Sequence, residues 1–131
     1  MELKIITPER IVLETDDVRH LLLPAENGQL GILPRHMPMV CSLQIGHMRV
    51  DMPDKSIELA TSGGFAEVLN DRITVLADTA ERAGEIDVER AREARHRAEQ
   101  RLRKREEHVD LARAQAALSR AVNRLHVAGA E

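Results

Sequence analysis

Along the first two thirds of the chain, apolar residues come in short bursts separated by turn-forming residues, which is the pattern of β-strands. Leu3–Ile6 runs to a Thr7-Pro8-Glu9 turn, Ile11–Leu13 runs to Asp16-Asp17, and Val18–Leu23 is closed by Pro24. Asn27-Gly28 marks the next turn, because both residue types tolerate the positive φ of a tight hairpin loop. Gly31–Pro34, Val40–Ile45, His47–Met52, Ser56–Thr61, Phe65–Leu69 and Ile73–Ala77 read as further strands, with Asn70-Asp71 as the last tight turn. Ser56–Thr61 has a period of roughly two, as in a strand with one wet face. Many short strands at near-regular spacing predict an all-β sandwich or barrel of antiparallel strands, not a βαβ sheet.

The pattern changes after residue 84. Val88–Glu107 is rich in Ala, Arg and Glu and contains no Gly or Pro, so it predicts a helix capped by Asp87. A second helix is predicted from Asp110, again a capping residue, to about Val127, with Gly129 ending it. Ala91, Ala94, Ala98 and Leu102 form one helical stripe, and Leu111, Ala114, Leu118, Ala121 and Leu125 form another. Joined at Glu106 to Val109, the two rods make an antiparallel hairpin. The fold class is therefore α+β in two parts, a β-sandwich over residues 1–84 and a helical hairpin over 85–131.

Composition marks the same boundary. Gly28, Gly31, Gly46, Gly63, Gly64, Gly84 and all five prolines lie at or before residue 84, and only Gly129 follows. Residues 1–84 hold 8 basic and 13 acidic groups, whereas 85–131 hold 11 basic, ten of them Arg, and 9 acidic. With 131 residues, 43% hydrophobic and 31% charged, the chain is neither disordered nor collagen-like. No apolar run approaches the roughly 20 residues of a membrane helix, and the first residues carry no signal-peptide pattern. One cysteine, Cys41, excludes an internal disulfide framework and a cysteine-based zinc site, which fits a reducing compartment. Without Trp or Tyr and with Phe65 as the one Phe, the chain offers almost no base-stacking platform, which weighs against binding of single-stranded nucleic acid.

Alanine stripes bury little apolar area, at about 25 cal/mol per Å², so the hairpin is expected to be held weakly, both to itself and to the sandwich. An element held this way is suited to switching between two arrangements. Arg90 and Arg97 lie seven apart on one helix, and Arg120 and Arg124 lie four apart on the other. Folding back near residue 108 gathers these four guanidiniums along one side, where an anion such as phosphate would relieve their repulsion. The bland alternative is ordinary i, i+4 pairing, Glu93 with Arg97 and Glu99 with Arg103.

Other constellations carry less. His36, Met37, Met39 and Cys41 are soft ligands suited to copper(I), but core packing explains Met39 and Cys41 more simply. Gly63-Gly64 lacks the Lys-Ser/Thr of a phosphate loop and reads as a bend or bulge in a strand. The six histidines and Cys41 show no spacing that fits nucleophilic catalysis, and His96, His108 and His126 read as exposed helix residues. Arg101, Arg103, Lys104 and Arg105 are offset by Glu99, Glu106 and Glu107, which favours an acidic protein partner over nucleic acid.

Glu26–Pro38, with its Gly-Gln-Leu-Gly-Ile-Leu-Pro-Arg-His-Met-Pro run, resembles a segment of the epsilon subunit family of F-type ATP synthases. Ser62–Val68 followed by Val75–Ala80, and then Ile86–Ala91, are similar to two further signatures of that family, in the same order. Arg35 departs from the pattern, standing where the family usually has Gly, so a positive φ there would be less comfortable. The resemblance implies a non-catalytic rotor subunit that couples ion flow to ATP synthesis, peripheral at the cytoplasmic face of the membrane. It implies a sandwich held against the gamma subunit and the c-ring, with Gln29, Leu30, Gly31, His36 and Met37 near that contact. It implies helices that extend or fold and restrain ATP hydrolysis when extended, with Arg101, Arg103 and Arg105 facing the beta and alpha subunits of the catalytic head. No catalytic cofactor is implied, only regulatory ATP in some members, held here by Glu81, Ile86, Asp87, Arg90, Ala91, Arg97, Arg120 and Arg124. The rival readings are a free-standing nucleotide sensor or helix-mediated interaction protein outside any ATPase complex, and a nucleic-acid-binding hairpin.

Overall fold

The structure, a computed structural model, describes residues 1–104 and 110–130. The chain divides into two compact units, Met1–Arg82 and Ala83–Glu131. The first unit contains β1 (Glu2–Ile6), β2 (Ile11–Thr15), β3 (His20–Ala25), β4 (Gly28–Ile32), β5 (Met39–Asp51), β6 (Ser56–Leu69), β7 (Arg72–Ala77) and β8 (Ala80–Arg82). Their order across the sheet is β2-β1-β7-β6-β5-β3-β4, with β8 pairing β6. Neighbours run antiparallel except β1 and β7, which pair in parallel from Glu2↔Arg72 to Ile6↔Leu76.

Several expectations about the strands need correction. The strands are not uniformly short and antiparallel: β5 has 13 residues and β6 has 14. Val40–Ile45 and His47–Met52 are one strand passing through Gly46, and Ser56–Thr61 and Phe65–Leu69 are one strand passing through Gly63-Gly64. Glycine lets these strands bend instead of ending. A Cβ on Gly46 would lie 2.6 Å from the Cβ of Pro24, at the place where the β3–β5 register shifts. Gly64, at φ 127°, brings β6 so close to β7 that a Cβ would run into the Leu76 carbonyl. Beyond this bend β6 exchanges one neighbour for another, pairing β7 from Gly64 onward and β8 from Thr61 back. The bend also explains the one buried polar side chain among the described residues: Thr61 Oγ1 donates to the Gly63 carbonyl at 3.3 Å and accepts from its amide at 3.4 Å.

The bent sheet encloses a single aliphatic core. Leu3 and Ile5 of β1, Ile73 and Val75 of β7 and Val68 of β6 share it with Leu21 and Leu23 of β3, Ile32 of β4 and Met48 and Val50 of β5. Asn70 and Asp71, both at positive φ, join β6 to β7 in the tight turn expected of them. The β3–β4 loop is Glu26-Asn27, with Gly28 at φ 123° opening β4, one residue off the expected turn. Pro24 lies inside β3 and does not close it.

The second unit opens with a 3-10 turn, Ala83–Glu85, and contains α1 (Val88–Lys104) and α2 (Leu111–Val127). Each begins on a predicted cap: Asp87 Oδ1 accepts the Arg90 amide at 3.1 Å, and Asp110 Oδ1 accepts the Arg113 amide at 3.0 Å. The end of α2 closes in a Schellman arrangement, with Gly129 at φ 74°, its amide on the His126 carbonyl and the Ala130 amide on that of Leu125. The helices pack against each other. The seven Cα–Cα steps from Lys104 to Leu111 reach at most about 25 Å, less than a parallel return along a helix of about 25 Å and across the roughly 8–10 Å between packed axes, so the helices run antiparallel. Residues 105–107 of the expected first helix, the expected turn at 106–109, Arg105 and His108 lie outside the described residues.

Candidate functional site

Two surfaces were anticipated, and each is best built within its own unit. In the hairpin, the seam is largely alanine: Ala91, Ala98, Ala114 and Ala121 are buried, joined by Leu125 and Val127 near the end of α2. Of the remaining stripe residues, Ala94, Leu102 and Leu118 are half-buried and Leu111 is exposed. The helix bodies carry ten basic side chains and only three acidic ones, and α2 has no carboxylate at all. Much of the hairpin's acidic complement sits at the ends, where Asp87 and Asp110 serve as caps. The helix bodies are therefore predominantly basic, α2 most of all, which favours a neighbouring anion or acidic surface.

Ion pairing on α1 differs from the simple expectation. Glu99 pairs with Arg95 at 3.5 Å, not with Arg103, and Glu89 pairs with Arg92 at 2.7 Å. Arg90 and Arg97 are exposed, whereas Arg120 and Arg124 are half-buried. Because Lys104 and Leu111 flank the link, Arg90 lies about level with Leu125, beside Arg124, and Arg97 about level with Leu118, half a turn from Arg120. The other residues of the nucleotide set are placed differently. Ile86 is buried, the Asp87 carboxylate is engaged as a cap, Ala91 lies in the seam, and Glu81 belongs to β8 of the sheet unit. Arg101 and Arg103 are exposed on the last turns of α1, where cations also suit the helix dipole.

In the sheet unit, Gln29 and Gly31 are exposed on the edge strand β4, and Leu30 packs partly against the core. The loop from Leu33 to Pro38 carries His36, half-buried, and Met37, 73% exposed. Met37 precedes β5 and so does not share a strand face with Met39 and Cys41, both of which pack against the core. Arg35 adopts φ 67° in spite of its side chain, and its amide donates to Asp71 Oδ1 at 2.9 Å. Leu33, Val40 and Leu69 are exposed at the same end and were not anticipated as contact residues. The signal for Val40 and Leu69 was present: their phase in β5 and β6 is opposite to the core-facing residues.

A polar cluster also went unanticipated, because it depends on three strands meeting. Asp51 at the end of β5 accepts from Ser56 Oγ at 2.6 Å, His20 Nδ1 at 3.1 Å and Arg49 Nε at 3.3 Å. The Ser56 hydroxyl is the main cause holding the Asp51 carboxyl below its usual range, with help from His20 and Arg49 and against partial burial. Burial pushes the Cys41 thiol up, although a hydrogen bond with the Ala66 backbone opposes it. Among the described residues no three His, Cys, Asp or Glu side chains converge as a metal site, and no helix is long and apolar enough to cross a membrane.

Comparison with known proteins accounts for both units. Residues 1–83 match the ATP synthase Delta/Epsilon chain beta-sandwich domain, and residues 85–129 match the Delta/Epsilon chain long alpha-helix domain. An ATP synthase epsilon chain from Desulforamulus reducens is 49% identical over 126 residues, covering 96% of this chain and 95% of its own. The Symbiobacterium thermophilum epsilon chain is 51% identical over 130 residues, covering 99% and 94%. Among solved structures, a chain of the Euglena gracilis mitochondrial ATP synthase OSCP/F1/c-ring assembly shares the fold with TM-score 0.70 at 22% identity, covering 98% of this chain and 76% of that one. A chain of the Tetrahymena thermophila central stalk and c-ring assembly gives 0.63 at 14% identity, covering 98% and 96%. The chain belongs to the ATP synthase delta/epsilon family, as an epsilon chain of the F-type enzyme and a non-catalytic subunit of it.

Proposed function

We propose that the protein is a rotor subunit of the central stalk that couples ion flow to ATP synthesis and restrains wasteful hydrolysis through its helical hairpin. The observation that carries this reading is the match of the whole chain, hairpin included, to epsilon chains at about 50% identity. The sheet unit docks on the gamma subunit and the c-ring through the 28–38 segment, which fits the exposure of Leu33 and Met37 and the ring-containing assemblies that hold its structural neighbours. The complex then holds the protein peripherally at the cytoplasmic face of the membrane.

The hairpin acts electrostatically. Its alanine seam gives little cohesion, and its excess of arginine favours the acidic surface of the beta and alpha subunits when the helices extend. In the folded hairpin, Arg90, Arg97, Arg120 and Arg124 take the phosphates of regulatory ATP. Truncation after Gly84 should leave the complex assembled and raise its ATP hydrolysis; unchanged hydrolysis would remove the inhibitory role. Titration of the full chain with ATP tests the sensor, since Arg90→Ala and Arg124→Ala should each weaken binding about tenfold or more, the effect of losing a charge-assisted contact to phosphate. Equal affinity in all three proteins would dismiss the arginine site while leaving the rotor role intact.

A further inference from the structure

Arg35 is the residue in the docking loop whose backbone has least reason to be where it is. An L-residue with a long side chain is disfavoured at φ 67°, because Cβ crowds the following carbonyl. Two bonds shape the loop from within: the His36 amide donates to the Leu33 carbonyl at 3.2 Å, and His36 Nδ1–H donates to the Met37 carbonyl at 2.8 Å. A third bond, from the Arg35 amide to Asp71 Oδ1, reaches across 36 residues of sequence to the β6–β7 turn. That turn is a firm anchor. Asp71 is held at φ 59° between two strands, and its own carbonyl accepts the Glu2 amide of β1 at 3.1 Å.

Around this bond lie apolar side chains that the core does not use. Leu33 and Met37 flank Arg35 in the loop and are 59% and 73% exposed. Val40 pairs with Glu67, two residues before Leu69 on the same face, so Val40 and Leu69 stand diagonally across the β5–β6 ladder and are 67% and 48% exposed. We propose that Asp71 is a positioning residue: by accepting the Arg35 amide it holds the loop in its left-handed bend and so presents Leu33 and Met37 beside Val40 and Leu69 as one apolar contact for the stalk and ring. This rests on the reading that the 28–38 segment is the docking segment. Asp71 touches no partner itself and acts through the loop's shape.

The test uses the full chain and ATP synthase stripped of this subunit, with reassembly affinity as the readout. Asp71→Gly keeps a turn tolerant of positive φ but removes the acceptor, while Asp71→Asn keeps an acceptor oxygen. Asp71→Gly should weaken reassembly about tenfold and speed hydrogen exchange at the Arg35 amide, without changing exchange at Val75 in the core. Asp71→Asn should stay within about threefold of wild type, and adding Arg35→Gly to Asp71→Gly should restore affinity to a similar level, because glycine adopts the bend without help. Met37→Asp, which places a charge in the contact, separates the two ideas. If Met37→Asp abolishes reassembly while Asp71→Gly binds like wild type, the positioning role is overturned and the docking reading stands. If Met37→Asp binds like wild type, the docking reading fails and the proposal falls with it. Weakening by Asp71→Gly that Arg35→Gly does not restore also overturns the proposal.

Discussion

The two units are held together by different physics. In the sheet unit, large aliphatic side chains such as Ile5, Leu21, Met48 and Ile73 are fully buried and contributed by strands far apart in sequence. In the hairpin, the seam is mostly alanine, and much of the order is local: two aspartate caps, a Schellman ending and good helix formers. A unit stabilised by non-local burial resists rearrangement, because any change breaks many contacts at once. A unit stabilised by local terms keeps its helices whatever they rest against. That division fits the proposed role, in which the sheet unit transmits torque and the hairpin changes partner.

The comparison is broken most directly by overloading the tightest point of the sheet. Gly64→Ala should cost about 3 kcal/mol or more, combining strain at φ 127° with overlap of the new methyl and the Leu76 carbonyl. Hydrogen exchange on the full chain should show amides of β6 and β7 accelerating strongly. The counterpart in the hairpin is Leu125→Ala, which deletes a fully buried large side chain among the alanines and should cost about 2–3 kcal/mol. Its effect should appear as faster exchange in α1 and α2, with core amides such as Val75 and Met48 unchanged. Equal acceleration in both units by either variant would show one cooperative body and end the contrast.

The same division governed what could be read from the chain itself. Asp87, Asp110 and Gly129 announced the helix ends correctly because caps act over three or four residues. Asn70-Asp71 announced its turn for the same reason. The continuity of β5 was hidden, since a glycine such as Gly46 ends a strand in one context and bends it in another, and only the approach of Pro24 decides between the two. At Gly63-Gly64 the bend was legible, although the flanking runs read as separate strands. The parallel pairing of β1 with β7 joins residues about 70 apart and leaves no local trace. In the loop between β4 and β5, Arg35 was visible as a departure from the family pattern, but its partner Asp71 was not, because the bond depends on the β6–β7 turn arriving beside it.

A smaller effect sharpens the local side of the contrast. Asp110→Ala removes the acceptor for the Arg113 amide and should cost about 1 kcal/mol. The loss should be confined to the first turn of α2, read as faster exchange there with the sheet unaffected. Asp110→Asn keeps an acceptor oxygen and should behave almost as wild type.

The smallest expected effect belongs to the sheet unit and depends on pH. Asp51 is stabilised as a carboxylate by the Ser56 hydroxyl first, then by His20 and Arg49, so its folded pKa lies below its unfolded value. The unfolded chain therefore binds the proton more readily, and the contribution of Asp51 is present above the ordinary carboxylate value, about 3.9, and lost as pH falls through the folded value. Thermal melts of the full chain between about pH 5 and 3 should fall less steeply for Asp51→Asn than for wild type. Ser56→Ala should lie between them, because it removes the largest single cause and leaves the other two. The change should be carried by sheet amides alone: Asp51 fastens β3, β5 and β6 to one another, and an acid response shared equally by the helices would mean that the two units do not answer separately.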